Sequence, residues 1–267
     1  MEYLVAVDLE GIHGVVGEPY ETLTDSKDYG VAIEGAICEI NTVVAALFEC
    51  GATKVVVWDN HGAGKNIDFF KLDPRIQCAD WRKDPFRFDF VKQHNFAAAI
   101  LLGYHAREGT LGGVLAHTYS SKKIQYLKLD NRPIGELEAD TYILGEHGIP
   151  VIMVASDNFA VEQMRDLSPK VTTVTTKFGK NRNEALLKSR EEVLAELDHG
   201  VRVALKNGVT PITYSFPAHA EVRFTRMEDA AKKLTTLKLP DAMPEFGEDA
   251  HTLTFKVTRA NELPKLL

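Results

Sequence analysis

Two carboxylates stand where a buried strand should end. In "YLVAVDLEGIHG" the apolar run from Tyr3 to Val7 is followed at once by Asp8 and Glu10. Side chains of an extended segment repeat every two residues, so Asp8 and Glu10 point one way and Leu9 the other, toward the core. Other apolar runs end in similar chemistry. "KVVVWD" leads to Asp59 and His61, "AAAILLG" to Tyr104, His105 and Arg107, and "IQYLKLD" with its "NRP" turn to Glu136 and Glu138. Carboxylates gathered in one cleft repel each other and lose hydration, and a divalent cation relieves both costs. Three carboxylates with two imidazoles suit zinc, manganese or cobalt better than magnesium or calcium, which favour all-oxygen shells. Five ligands suffice for two ions if one carboxylate bridges. Taken singly, each residue has a plainer reading, because acidic residues often begin loops and a lone histidine is more often a hydrogen-bonded structural residue.

These groups can meet only if the strands before them end at a common rim. In parallel α/β sheets, ligands collect beyond the carboxyl ends of the strands. Buried runs at 3–8, 54–59, 97–103 and 150–156 are separated by helical patterns at 28–50 and 135–147. The 28–50 helix has Ile33, Ala36, Ile37, Ile40, Val43, Val44 and Leu47 at spacings of three and four, and Gly51 ends it. Strand 124–130 alternates more. A short helix ends before Pro169, a strand covers 171–176, and a polar amphipathic helix is expected over about 183–206. Continuous Val/Ile/Ala runs between helices indicate an α/β fold with a mostly parallel sheet covered by helices on both faces. After "NGVTP" (207–211) the texture changes. Strand 212–224, helix 226–234, loop 239–249 and strand 251–257 form a small C-terminal α+β portion. The expected division is a metal-binding catalytic domain at 1–206 and an appendage at 207–267.

At 267 residues, with 45% hydrophobic and 26% charged residues, the chain has the composition of a soluble globular protein. A net charge of −7 lacks the basic excess that a nucleic-acid surface needs. No apolar run approaches 18 residues and "MEYLVAVD" has no basic start, so neither a membrane span nor a signal peptide is expected. The three cysteines are odd in number and form no CxxC. Cys38 and Cys50 read as small core residues, and a cytoplasmic protein without disulfides is expected. "HGAGKN" fails the phosphate-loop pattern, HExxH and GxSxG are missing, and no zinc-finger spacing occurs. His94, His147, His199, His219 and His251 are expected at the surface, and Glu138 and Asp140 on a solvated helix face. Asp59 reads equally as a partner orienting an imidazole or as a turn residue. Lys65 and Arg107 are either contacts for a substrate carboxylate or plain exposed cations.

"VDLEGIHG", "DNHG", "LLGYHAR", "GVLAHTYS", "NRPIGELEAD" and "PVIMVASD" occur in that order from residue 5 to about 157. In these pieces, and more weakly to its end, the chain resembles the zinc-dependent D-aminopeptidase family. The resemblance implies two zinc ions per subunit, held by Asp8, Glu10, His61, His105 and Glu136 with Asp8 bridging. It implies that His117 is the catalytic residue. It also implies release of N-terminal D-amino acids, D-alanine favoured, from short peptides or amides, and a decamer of two stacked five-membered rings enclosing a chamber. The expected chemistry is attack of a metal hydroxide on the peptide carbonyl, with His117 as acid/base or as nucleophile. The Gly-rich "GTLGGVLAH" before His117 would let the backbone approach a ligand. His13 replaces a serine of the family's best-known member. It reads as a group orienting a ligand, a substrate contact or an extra ligand. A hydrolase of another amide or a phosphoester, or a metal-binding protein without catalysis, are the other readings.

Overall fold

The computed structural model describes residues 1–17, 26–79, 87–239 and 243–267. In chain order the elements begin β1 (Glu2–Val7), α1 (Tyr29–Glu49), β2 (Lys54–Asp59), β3 (Gln77–Cys78) and β4 (Phe96–Leu102). They continue with β5 (Ile124–Leu129), β6 (Arg132–Ile134), α2 (Glu136–Glu146), β7 (Val151–Asp157), α3 (Asn158–Leu167), β8 (Thr172–Asn181) and β9 (Glu184–Leu187). Last come α4 (Arg190–Ala204), β10 (Ala218–Phe224), α5 (Met227–Thr236), β11 (Glu245–Phe246) and β12 (Thr252–Val257).

Strand β1 is apolar on both faces because both faces are buried. Tyr3, Val5 and Val7 enter one apolar cluster, and Leu4 and Ala6 enter the other. It is flanked by β2 and β4, both parallel to it. The sheet runs β3-β2-β1-β4-β7-β8-β9, parallel except for the antiparallel β9. The three-and-four stripe of α1, together with Val193, Leu197 and Val201 of α4, covers one face. Helices α2 and α3 cover the other. By length and composition alone α1 is also apolar enough to cross a membrane, at mean hydropathy 1.7 over its window, although Glu34 and Glu39 interrupt its apolar run. Ten of its residues are buried within the fold, the setting of a core helix.

The alternation of strand 124–130 has a structural cause. It is β5, in a second, antiparallel sheet of order β11-β12-β10-β5-β6. Val222 of β10 faces Leu127, and Ala220 faces Leu129. The C-terminal strands therefore share a sheet, and one apolar cluster with α2, with residues 124–134.

Three local expectations are corrected. The polar stretch 183–206 is not one helix: the chain turns back after Asn181, Leu186 pairs with Phe178 in β9, and α4 starts at Arg190 with Ser189 accepting the Glu192 amide at 3.1 Å. Cys50 is exposed at the end of α1, beyond its buried stripe, and Cys38 is only half-buried. The expected loop 239–249 contains β11; its residues 240–242 lie outside the described residues.

Candidate metal centre

Parallel register brings the strand ends together. Val7 sits opposite Asp59 on one side and Leu102 on the other. The Asp8 amide then bonds the Leu102 carbonyl (2.8 Å), Gly11 bonds Gly103 (2.7 Å) and Asn60 bonds Val7 (2.8 Å). The loops after β1 and β4 approach so closely that a Cβ on Gly103, which has φ +75°, would lie 2.2 Å from the Asp8 carbonyl oxygen.

All five expected ligands converge on one cleft. His61 Nδ1 lies 2.9 Å from Asp8 Oδ1 and 3.3 Å from Glu10 Oε2. His105 Nε2 lies 3.1 Å from Glu136 Oε1 and 3.6 Å from Asp8 Oδ2. Asp8 thus presents one oxygen to each histidine. Leu9 points into the core, as the two-residue period requires. His105 Nδ1 contacts the Ala106 carbonyl at 3.0 Å. A carbonyl only accepts, so Nδ1 carries a proton, and Nε2 faces the cleft, where it becomes a donor to a metal once its own proton has left. His117 is held in the same way, Nδ1 to the Leu115 carbonyl at 2.8 Å. Its ring stacks on His105 at 3.9 Å, and its Nε2 lies 3.8 Å from Glu136 Oε1.

Burial and mutual charge shift every one of these groups. Burial, then the charge of Glu10, pushes Asp8 up to about 7. Burial opposes ionisation of Glu136 as well, but His105 holds it down to about 2. Burial works against protonation of both histidines, yet the carboxylates win: Glu136 foremost raises His105 to about 10, and Glu10 foremost raises His61 well above its usual range. His117 is pushed down by burial and by the charge of His105. Glu10 Oε2 is buried, and His61 Nδ1 approaches it at 3.3 Å. Ligand atoms of Asp8, Glu10 and His105 lie within 4.8 Å of one another, and so do those of His105, His117 and Glu136. A mixed nitrogen and oxygen set of this kind suits zinc.

The supporting residues were only partly foreseen. The Asp59 carboxylate accepts the amides of Asn66 (2.5 Å), Ile67 (3.0 Å) and His61 (3.3 Å), so it shapes the loop that carries His61. Glu138 and Asp140 are buried, against expectation, because α2 lies between the two sheets and every residue from Glu136 to Gly145 is buried. Glu138 caps its own helix at the Gly135 amide and pairs with Arg107 at 2.9 Å, which occupies that arginine. Asp140 pairs with Arg87 (3.0 Å) and accepts the Tyr104 hydroxyl (2.8 Å), and Arg87 lies 3.6 Å from Glu136 Oε2. Nothing in the sequence marked Arg87. Lys177 did carry a signal: it follows the buried run "VTTVTT" at the same rim. Its buried ammonium donates to the carbonyls of Glu10 (2.5 Å), Ile12 (2.7 Å) and Val15 (2.6 Å), fixing the loop that presents Glu10.

Other assignments shift. His13 faces away from the cleft, with Nε2 on the Lys188 carbonyl (2.9 Å), and lines a separate cavity of about 240 Å³ beside α1. Gly112 serves packing, since a Cβ there would strike the Phe159 ring at 2.6 Å. His199 and His219 are exposed as expected. His94, His147 and His251 are half-buried and hydrogen-bonded; His94 bonds Glu2 at 2.6 Å and stacks on Phe96.

Comparison with known proteins agrees with this geometry. A family model described as D-aminopeptidase matches residues 1–263. Over 217 residues the chain is 32% identical to the D-aminopeptidase of Bacillus subtilis (strain 168), an alignment spanning 80% of this chain and 77% of that one. The solved structure of the Zn-dependent D-aminopeptidase DppA from Bacillus subtilis, a self-compartmentalizing protease, matches with a TM-score of 0.86 and 28% identity, over 100% of this chain and 95% of that one. A buried carboxylate–imidazole cleft at the rim of a parallel sheet, in a chain matched from end to end, makes this protein a peptidase that belongs to the D-aminopeptidase family.

Proposed function

We propose that this chain is a dinuclear zinc aminopeptidase that releases N-terminal D-amino acids, D-alanine foremost, from short peptides or amides. The observation that carries the reading is the convergence of Asp8, Glu10, His61, His105 and Glu136 on one buried cleft beside His117. Asp8, Glu10, His61, His105 and Glu136 would hold the two ions, with Asp8 standing between the two histidines. Bound zinc supplies Lewis acidity, polarising the scissile carbonyl and acidifying water; manganese or cobalt would suit the same donors.

The chain's own residues do the rest. Neutral His117, its Nδ1 proton fixed on Leu115, offers Nε2 to accept a proton and to return it to the leaving amine. The Tyr119 amide, 2.7 Å from Glu136 Oε1, and Arg87 on the other carboxylate oxygen hold Glu136 in place. The cavity above this floor is about 260 Å³, a size for a short peptide rather than a folded chain. Selectivity for D-residues would arise from where this small cleft seats the α-amino group. The solved neighbour is called self-compartmentalizing, and we propose a closed homo-oligomer here also, two stacked five-membered rings. The test is turnover by zinc-loaded protein of paired D- and L-alanyl amides and dipeptides, with a phosphoester control. Comparable L- and D-turnover would remove the stereochemical claim, and phosphoester cleavage without peptide cleavage would remove the aminopeptidase.

A further inference from the structure

The floor of the catalytic cleft is acidic, but one wall is not. The cavity is lined by Asp8, Glu10 and Glu136 below and by residues 119–122 at the side. Among the described lining residues, Lys122 is the one lysine or arginine. Its place is set by backbone. Tyr119 takes a left-handed φ of 55° as its amide docks on Glu136, which turns the chain out of the cleft. Lys123 and Ile124 then return amide bonds to the Ser120 carbonyl at 3.1 and 3.0 Å, closing a turn that carries Lys122 before β5 begins. Arg107 is occupied by Glu138, and Lys65 does not line the cavity. Lys122 is exposed at the cavity mouth, and among the described residues it has neither a hydrogen bond nor an ion pair, which leaves its ammonium open to a ligand.

We infer that Lys122 is a specificity-determining residue that receives the C-terminal carboxylate of a dipeptide, so that the preferred substrates carry one residue beyond the scissile bond and end in a free acid. The inference rests on the aminopeptidase reading. If the substrate's amino end lies over the acidic floor and its scissile carbonyl beside His117, the chain leads outward along the 119–122 wall. One further extended residue advances the chain by about 3.5 Å, which leaves its carboxylate at the wall rather than in bulk water. An ammonium there pairs with it, whereas the carboxylates of the floor would repel it. A capped or much longer peptide gains nothing from this contact.

The test pairs two substrates that differ by a single charge, D-Ala-D-Ala and its C-terminal amide. Full-length zinc-loaded protein is compared with Lys122→Met and Lys122→Glu, after metal content and assembly of each are matched to wild type. A contact with an exposed ammonium predicts that wild type favours the free acid by about three- to fivefold in kcat/KM, mostly through KM. In Lys122→Met the ratio should fall to near one, and in Lys122→Glu below one. The wild-type preference should shrink with added salt. A wild type that does not distinguish the two substrates, or a Lys122→Met variant that keeps the preference, overturns the inference while leaving the aminopeptidase intact. Failure of wild type to cleave either substrate would remove the aminopeptidase reading and the inference with it.

Discussion

Replacing Lys177 by methionine should damage the proposed metal site from behind. Methionine keeps an unbranched chain of similar length but removes the charge and all three donors. The carbonyls of Glu10, Ile12 and Val15, now bonded at 2.5 to 2.7 Å, would lose their partner inside the protein. Hydrogen bonds to a charged group contribute about 1.5–3 kcal/mol each. They are not additive here, and removing a buried ammonium recovers part of its desolvation, so a loss of roughly 3–5 kcal/mol is expected. The loop from Gly11 to Val15 would relax, and Glu10 with it. Loss of a group that orients a ligand typically weakens metal binding 10–100-fold. Urea unfolding of the metal-free protein measures the first effect, and competition with a chromophoric chelator measures the second. Stability within about 1 kcal/mol of wild type, together with unchanged zinc affinity, would refute the role given to Lys177.

Buried Glu39 is raised to about 7 from a usual value near 4.5, by burial foremost, so the folded state holds a proton that the unfolded chain releases between those pH values. Its contribution is fully present below about pH 4.5 and is lost as pH rises toward 7. Glu39→Gln should therefore gain stability relative to wild type across that window, by up to roughly 3 kcal/mol, in chemical unfolding at a series of pH values; a pH-independent difference would contradict this. His105, raised to about 10, and His61, raised well above its usual range, are protonated in the metal-free protein at pH 7. Zinc loading should release between two and three protons per chain, since Asp8, raised to about 7, is itself partly protonated. The release is read by calorimetry in buffers of different ionisation enthalpy, and apparent affinity should rise with pH; release of fewer than one would count against both histidines as ligands. His117→Ala should retain metal and assembly while losing on the order of 10²–10⁴ in kcat; parallel loss of metal would instead make His117 a ligand, a role that its distance to Glu136 permits.

Much of the site was legible because it obeys a local rule. Asp8, Glu10, His61 and His105 each follow a buried run at once, and parallel pairing carries such positions to one rim. Glu136 was legible for a different reason: it starts α2 after the β5–β6 turn, and only tertiary packing brings it to His105. The misses have the opposite character. Asp140 and Glu138 read as solvated because acidic residues on a helix usually are, and nothing local reveals that α2 lies between two sheets. Arg87 depends on a partner 53 positions away in the sequence, and Lys177 on carbonyls more than 160 away. None of the three roles left open for His13 at the cleft fits its position, because the backbone turns after Gly11 and sends the imidazole to Lys188. Strand β9 hides inside a polar stretch because the long edge hairpin exposes much of its length.

Anomalous scattering at the zinc edge, from crystals of protein purified without chelator, would count and place the ions. Two peaks per chain are predicted among Asp8, Glu10, His61, His105 and Glu136. A cleft that stays empty under saturating zinc, or a single ion that leaves Glu10 and His61 uncoordinated, would contradict a dinuclear centre.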